Sequence, residues 1–350
     1  MTPLTDILLL FPYYLSLKVR HLFYNKGIWK SKSYPVPMIS VGNITVGGTG
    51  KTPHIEWLIR KYGVDHRLAV ISRGYGRKTK GYREVLVEDE ARSVGDEPLQ
   101  IKRKFPHIRV VVDADRRRAI ETLLAEPESV RPQLILLDDA FQHRAVLPQC
   151  SVVLVNYSRP LHRDHLLPLG RLRDLPGEIR RAGVVVVTKY PGSEVPPEEI
   201  EQWRKDLRLT EDQPLFFSRF TYGKPQPGTA NADLRYVYSP RAYLFTGIAD
   251  DRPLVTHVRS HYQLVGHRQF SDHHDFTPSQ WRSLERWVAK SPTAVVLTTE
   301  KDARRIRWSD VPKSLQERLF YIPIEAEIIA PFSEADFIRV ASPLLQLPEC

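Results

Sequence analysis

The chain has 350 residues, long enough for two domains with separate cores. Its 42% apolar and 26% charged residues are the values of a soluble globular protein, and two cysteines, Cys150 and Cys350, exclude a disulfide framework and a cysteine metal cluster. Lys and Arg total 51 against 41 Asp and Glu, a formal charge of +10 that suits a nucleotide, a phosphorylated substrate, a nucleic acid or an acidic lipid surface, unless it is merely a basic exterior.

Residues 1–32 form the first segment. The apolar run ILLLFPYYLSL, Ile7 to Leu17, would reach about 16 Å as a helix, half of a bilayer core of ~30 Å, so it cannot span. Asp6 before it and the lack of a small-residue cleavage site argue against a signal peptide. Cations and aromatics follow: Lys18, Arg20, His21, Phe23, Tyr24, Lys26, Trp29, Lys30 and Lys32. That order suits an amphipathic helix lying on an anionic membrane surface, or a terminal helix docked on the protein's own core.

From Val36 the pattern changes. VPMISVG (36–42) reads as a buried strand, a glycine-rich turn follows, and HIEWLIRKY (54–62) reads as a helix. Further strands are expected within 67–76, 108–125, 133–143, 150–158 and 183–191. Their continuous β-branched runs, separated by helical stretches, predict a doubly wound, mostly parallel sheet covered on both faces. Proline-rich stretches near residue 215 mark a boundary, giving a core domain over 33–215 and a smaller α/β domain over 216–350.

The stretch VGNITVGGTGKTP (41–53) carries the chemistry. A strand, a glycine-rich turn and a helix start aim backbone N–H groups at phosphates. Gly47, Gly48, Thr49, Gly50, Lys51 and Thr52 are the nucleotide-binding candidates. Lys51 would reach the β- and γ-phosphates and Thr52 would hold magnesium. The usual G-x-x-x-x-G-K-[ST] pattern has glycine where Thr45 stands. Asp138 and Asp139 close an aliphatic strand, and two adjacent carboxylates there are most simply explained by a magnesium ion. VVTKYP has Pro191 where a guanine-reading aspartate would stand, which favours an adenine nucleotide.

Three further stretches offer partners. SVGDEPLQ supplies Asp96 and Glu97 at a helix start. FSDHHDF supplies Asp272, His273, His274 and Asp275; a proton relay with an acid of the other domain, a metal site and a helix cap are all open. LPLGRLRD supplies Arg171, Arg173 and Asp174, where the arginines could stabilise a transferring phosphoryl group.

PVPMISVGNITVGGTGKTP, SRGYGRKTKGY, GDEP, DDAFQHR, PLGRLRD, FTGIAD, FSDHHDF and TTEKDA together resemble the tetraacyldisaccharide 4'-kinases of lipid A biosynthesis. These stretches keep the family's order from about residue 35 to 304, and the family's own loop has the spacing that places Thr45. The resemblance implies a P-loop kinase that moves the γ-phosphate of ATP to the 4'-hydroxyl of a tetraacylated glucosamine disaccharide 1-phosphate. It implies Asp96 as catalytic base, His273 in support, Lys51, Arg116 and Arg173 at the transferring phosphate, and Thr52, Asp138, Asp139 and Asp174 at Mg2+. Asp174 stands where the family usually has glutamate. The resemblance also implies a peripheral protein on the cytoplasmic face of the bacterial inner membrane, with 1–32 as an interfacial helix. No nucleic-acid partner and a monomeric state are expected. Switch-type ATPases of the partition kind and GTP-driven metal-insertion chaperones are the rivals. Val46 replaces the signature lysine of the first, and the second would need N-K-x-D and a cysteine ligand set.

Overall fold

The computed structural model describes residues 4–272 and 274–345. The chain forms two compact units. One comprises the residues up to Phe220 and those from Ala326 onward; the other is Thr221–Glu325.

In chain order the first unit begins with helices α1 (Leu4–Leu9) and α2 (Phe11–Asn25), strand β1 (Met38–Gly42), α3 (Lys51–Tyr62), β2 (Leu68–Ser72) and β3 (Arg83–Glu84). There follow α4 (Ala91–Val94), α5 (Asp96–Lys104), β4 (Arg109–Val112), α6 (Arg116–Leu124), β5 (Leu134–Asp138) and β6 (Cys150–Asn156). Strand β7 (Val184–Thr188), α7 (Pro197–Leu207) and β8 (Leu215–Tyr222) lead to the second unit. That unit holds β9 (Gln226–Pro227), β10 (Arg241–Thr246), α8 (Arg252–His261), β11 (Gln263–Gln269), α9 (Pro278–Val288) and β12 (Val295–Thr299). Helices α10 (Glu300–Arg305) and α11 (Lys313–Gln316) and strand β13 (Leu319–Ile322) follow. Strand β14 (Ile324–Ile328) and α12 (Glu334–Leu345) carry the chain back.

The first unit is built on a nine-stranded sheet of order β14-β8-β7-β6-β1-β5-β2-β4-β3. Pairings from β8 through β4 are parallel, and β3 pairs antiparallel with β4. Successive residues of one strand feed opposite faces. In β1, Ile39 and Val41 pack with α3 and α5 side chains such as Leu58 and Leu99, whereas Met38 packs with Ala119, Ile120 and Leu123 of α6. A strand covered on both faces needs apolar side chains throughout, which is why these segments read as unbroken β-branched runs. The second unit has its own five-stranded sheet, β11-β10-β12-β13-β9, with β9 antiparallel to β13 and the other pairings parallel. The doubly wound α/β architecture with a smaller second α/β unit is therefore as the sequence indicates.

The boundaries differ from those read from the sequence. The second unit closes at Glu325 instead of continuing to the chain's end. Strand β14 joins the edge of the large sheet beside β8, and Phe337, Ala341 and Leu345 of α12 are buried in the cluster around Ile55, Trp57 and Leu58. Of the segment 1–32, the described residues from 4 onward are not separate either. A proline inside a helix clashes with the carbonyl four residues back, so Pro12 restarts the helix after Leu10, within the first turn of α2, where it is tolerated. One face of α2 then docks: Leu17 and His21 are buried, and Leu10, Tyr13 and Tyr14 pack against the cluster that holds Val153 and Val185.

Candidate active site

The carboxyl ends of β1, β5 and β2 lie side by side, with Val41 in register with Asp138 and Ile71 with Leu137. This is where an open α/β sheet binds ligands. The chain leaves β1 into the glycine loop, which is clasped by the segment carrying the arginines. Val46 N–H donates to Arg171 O at 2.7 Å, Arg173 N–H donates to Ile44 O at 2.9 Å, and Thr45 and Leu172 form an antiparallel bridge. Thr45 thus sits in extended backbone that suits a β-branched residue, and no glycine is needed there. The turn proper relies on Gly47 (φ +99) and Gly50 (φ +89), a backbone region that L side chains rarely adopt. Thr49 is fixed from two sides: its hydroxyl accepts from Asn43 Nδ2 at 2.9 Å and its carbonyl from the Thr188 hydroxyl at 2.9 Å. Lys51 and Thr52 follow as the first residues of α3.

The acidic pair stands opposite the loop. Asp138, 3% exposed, accepts from the Ser72 hydroxyl at 2.9 Å. Asp139 has φ +49, a left-handed position that aspartate tolerates better than most residues. Its carboxylate accepts two bonds from the Arg173 guanidinium, one of them at 2.9 Å, and Lys51 Nζ lies 3.9 Å away. Arg173 also donates to the Asn43 side chain at 2.5 Å and to its carbonyl at 3.1 Å. Arg116, 4% exposed, donates to the Asp138 carbonyl at 3.4 Å. Lys51, Arg116, Arg173, Asp138 and Asp139 are therefore brought together at the mouth of the glycine loop.

Their electrostatics diverge. Burial, then the charges of Glu97 and Asp139, push the Asp138 carboxyl up to about 7, with Lys51 and Ser72 opposing. Burial also pushes Asp139 up, but the Arg173 hydrogen bond and the Lys51 charge more than offset it and hold it below the ordinary range. Burial lowers the Arg116 guanidinium, against the pull of Asp138. A buried carboxylate resisting ionisation beside a second one marks a place short of positive charge.

Asp96 opens α5, half-buried, directly behind Gly95. Gly95 has φ +96, and a Cβ there would lie 3.1 Å from the Gly74 backbone, so only glycine lets the chain turn into α5 against the 74–75 loop. Glu97, beside it, is the residue of this helix whose charge reaches Asp138.

Asp174 is not part of the cluster. It is fully buried, and its Oδ1 accepts from His21 Nε2 of α2 at 2.6 Å and from the Leu175 N–H at 2.9 Å. Burial raises its carboxyl, and the His21 hydrogen bond and charge outweigh that to hold it low. Arg173 thus faces the acidic pair while Asp174, the next residue, anchors α2; this corrects the metal contact expected of it. His273 lies outside the described residues. Around it, Asp272 pairs with Lys301 at 3.3 Å, and His274 stacks on Phe270 and bonds the Gln280 side chain at 3.2 Å. Among the described residues no group of three or more His, Cys, Asp or Glu could hold a metal.

Ser72, Thr188 and the role of Asn43 were not read from the sequence. Ser72 had a signal, since it is the polar residue closing the strand next to β5, as Asp138 closes β5 itself.

The model of the family described as tetraacyldisaccharide-1-P 4'-kinase matches residues 7–340. The chain is 42% identical over 331 residues to the tetraacyldisaccharide 4'-kinase of Porphyromonas gingivalis strain ATCC 33277, covering 91% of this chain and 90% of that protein. It is 38% identical over 334 residues to the enzyme of the same name from Phocaeicola vulgatus, covering 92% and 91%. Among solved structures it resembles LpxK from Aquifex aeolicus in complex with ATP, with a TM-score of 0.72, 25% identity, and coverage of 97% of this chain and 99% of that one. A match across nearly the whole chain, at this identity, with the glycine loop and acidic pair in place, shows that this chain belongs to the tetraacyldisaccharide-1-P 4'-kinase family.

Proposed function

We propose that the protein is an ATP-dependent kinase that transfers the γ-phosphate to the 4'-hydroxyl of tetraacyldisaccharide 1-phosphate. The observation that carries this reading is the convergence of Lys51, Arg116 and Arg173 on Asp138 and Asp139 at the mouth of the glycine loop, in a chain of this family. The N–H groups of 47–52 and the Lys51 ammonium hold the β- and γ-phosphates. Arg173 and Arg116 face the charge that spreads over the transferring group. Asp96 accepts the proton of the 4'-hydroxyl as the new O–P bond forms; the bond from the γ-phosphorus to the β,γ-bridging oxygen breaks, and ADP leaves with that electron pair. His273 keeps the supporting role expected for it.

Magnesium fits the residues present. Thr52, Asp138 and Asp139 are hard oxygen donors, and Mg2+ is usually held by one or two carboxylates together with phosphates and waters. The upward push on Asp138 is what a cation would relieve. Bound there, the ion would neutralise charge on the phosphate oxygens.

We also place the protein, as a monomer, on the cytoplasmic face of the inner membrane. The face of α2 turned from the core exposes Phe11, Leu15, Val19 and Leu22, three or four residues apart, beside the cations Lys18 and Lys26. That is the pattern of a helix seated in an anionic interface. No described helix is long and apolar enough to cross a membrane.

Replacing one group at a time tests the assignment. Asp96→Ala should lower turnover by ~10^2- to 10^4-fold while ATP affinity stays near wild type, as loss of a general base does. Lys51→Ala should weaken both. Near-normal turnover of Asp96→Ala at pH 7 would remove the base from Asp96.

A further inference from the structure

Helix α3 begins Lys51-Thr52-Pro53-His54 after its N-cap, Gly50, and Pro53 falls in the first turn, where no N–H has a partner within the helix. The Thr49 carbonyl stands before the N-cap, where the helix ladder supplies no donor. The first rung is stretched, with His54 N–H reaching Gly50 O at 3.3 Å. Two carbonyls of the phosphate loop would therefore be loosely held at the point where their orientation matters.

Two side chains supply what is missing. The Thr188 hydroxyl, at the end of β7, donates to Thr49 O at 2.9 Å. The His54 imidazole turns back on its own helix, and Nδ1 lies 2.8 Å from Gly50 O. A carbonyl can only accept, so Nδ1 carries the hydrogen. The ring is 3% exposed. Nε2 lies 2.9 Å from the Ser218 hydroxyl of β8, a second contact that fixes the ring plane. On another side of Gly50 the Phe220 ring stands where a Cβ would be, 2.3 Å from its nearest atom, and leaves the peptide little room to turn.

The consequence follows from peptide geometry. In a planar trans peptide the C=O and N–H point in opposite directions. Drawing Gly50 O toward the helix aims the Lys51 N–H outward, and drawing Thr49 O toward β7 does the same for the Gly50 N–H. We propose that His54, with Thr188, is a positioning residue for phosphoryl transfer, holding the Thr49 and Gly50 carbonyls back so that the Gly50 and Lys51 N–H groups face the β- and γ-phosphates of ATP. The inference rests on the reading of 47–52 as the phosphate site.

Affinities of the full-length protein for ATP and for AMP separate this role from general support of the fold, because AMP lacks the phosphates concerned. In His54→Leu the ATP affinity should fall about tenfold, the effect of a lost hydrogen bond to a charged ligand's cradle, with AMP affinity unchanged. His54→Asn places an amide N–H near the position of Nδ1 and should restore the ATP-to-AMP ratio. Thr188→Val, which keeps the side-chain shape, should lower that ratio in the same way and serves if His54→Leu does not fold. Equal losses for ATP and AMP, or a wild-type ratio in both His54→Leu and Thr188→Val, would overturn the positioning role. A wild-type protein binding ATP no more tightly than AMP would instead overturn the phosphate reading of the loop.

Discussion

At Asp138 three conditions oppose ionisation: burial, the Glu97 charge and the Asp139 charge. The folded-state pKa of about 7 lies above the ordinary 3.8, so the folded protein holds the proton more tightly than the unfolded chain. The resulting stabilisation is full below about 4 and is lost as pH rises through about 7. In metal-free protein, thermal melts between pH 5 and 8 should show wild type losing stability with rising pH, and Asp138→Asn should lose less over the same interval. Parallel pH profiles for the two would contradict the account of this carboxyl. Legibility at this scale follows covalent neighbourhood. Lys51 and the acidic pair declare themselves because glycine spacing and a strand end fix their surroundings within a few residues. Asp174 does not, because its partner His21 is 153 positions away and nothing local tells which side of the chain it faces.

Helix α2 presents two apolar faces with different partners. Tyr13, Leu17 and His21 face the core, where the Tyr13 hydroxyl donates to the Arg173 carbonyl at 3.1 Å and His21 holds Asp174. The outer stripe of Phe11, Leu15, Val19 and Leu22 has solvent as its neighbour. The sequence left open whether this segment docks on the protein or lies on a membrane; its inner face docks, and we propose that the outer stripe meets the membrane. Replacing Leu15 and Val19 together by Asp should cut co-flotation with phosphatidylglycerol vesicles by at least about tenfold, since each change removes buried apolar area and adds repulsion from the anionic surface. ATP binding should be unchanged, because neither side chain faces the core. Undiminished flotation would show that the stripe is not the membrane contact. The buried strands β1, β5 and β7 were legible as unbroken aliphatic runs. Strand β14, IEAEI, was not, because only its alternate residues are buried and its pairing with the large sheet depends on chain more than 100 residues earlier.

Over the whole molecule, one large sheet gathers the glycine loop, the acidic pair and the arginines at its carboxyl edge, while Thr221–Glu325 forms a second unit with its own core. The change of composition near residue 215 marked where the chain enters that unit. The exit at Glu325 was hidden, because an α/β pattern continues across it and only tertiary pairing assigns β14 and α12 to the first unit. The measurement that tests the central claim most directly is phosphoryl transfer itself. Purified protein would be given γ-labelled ATP, magnesium and tetraacyldisaccharide 1-phosphate in mixed micelles, with γ-labelled GTP as a parallel donor. The account predicts label appearing in the lipid from ATP, at the 4' position, and far less from GTP. Nucleotide hydrolysis with no labelled lipid, or a clear preference for GTP, would contradict it.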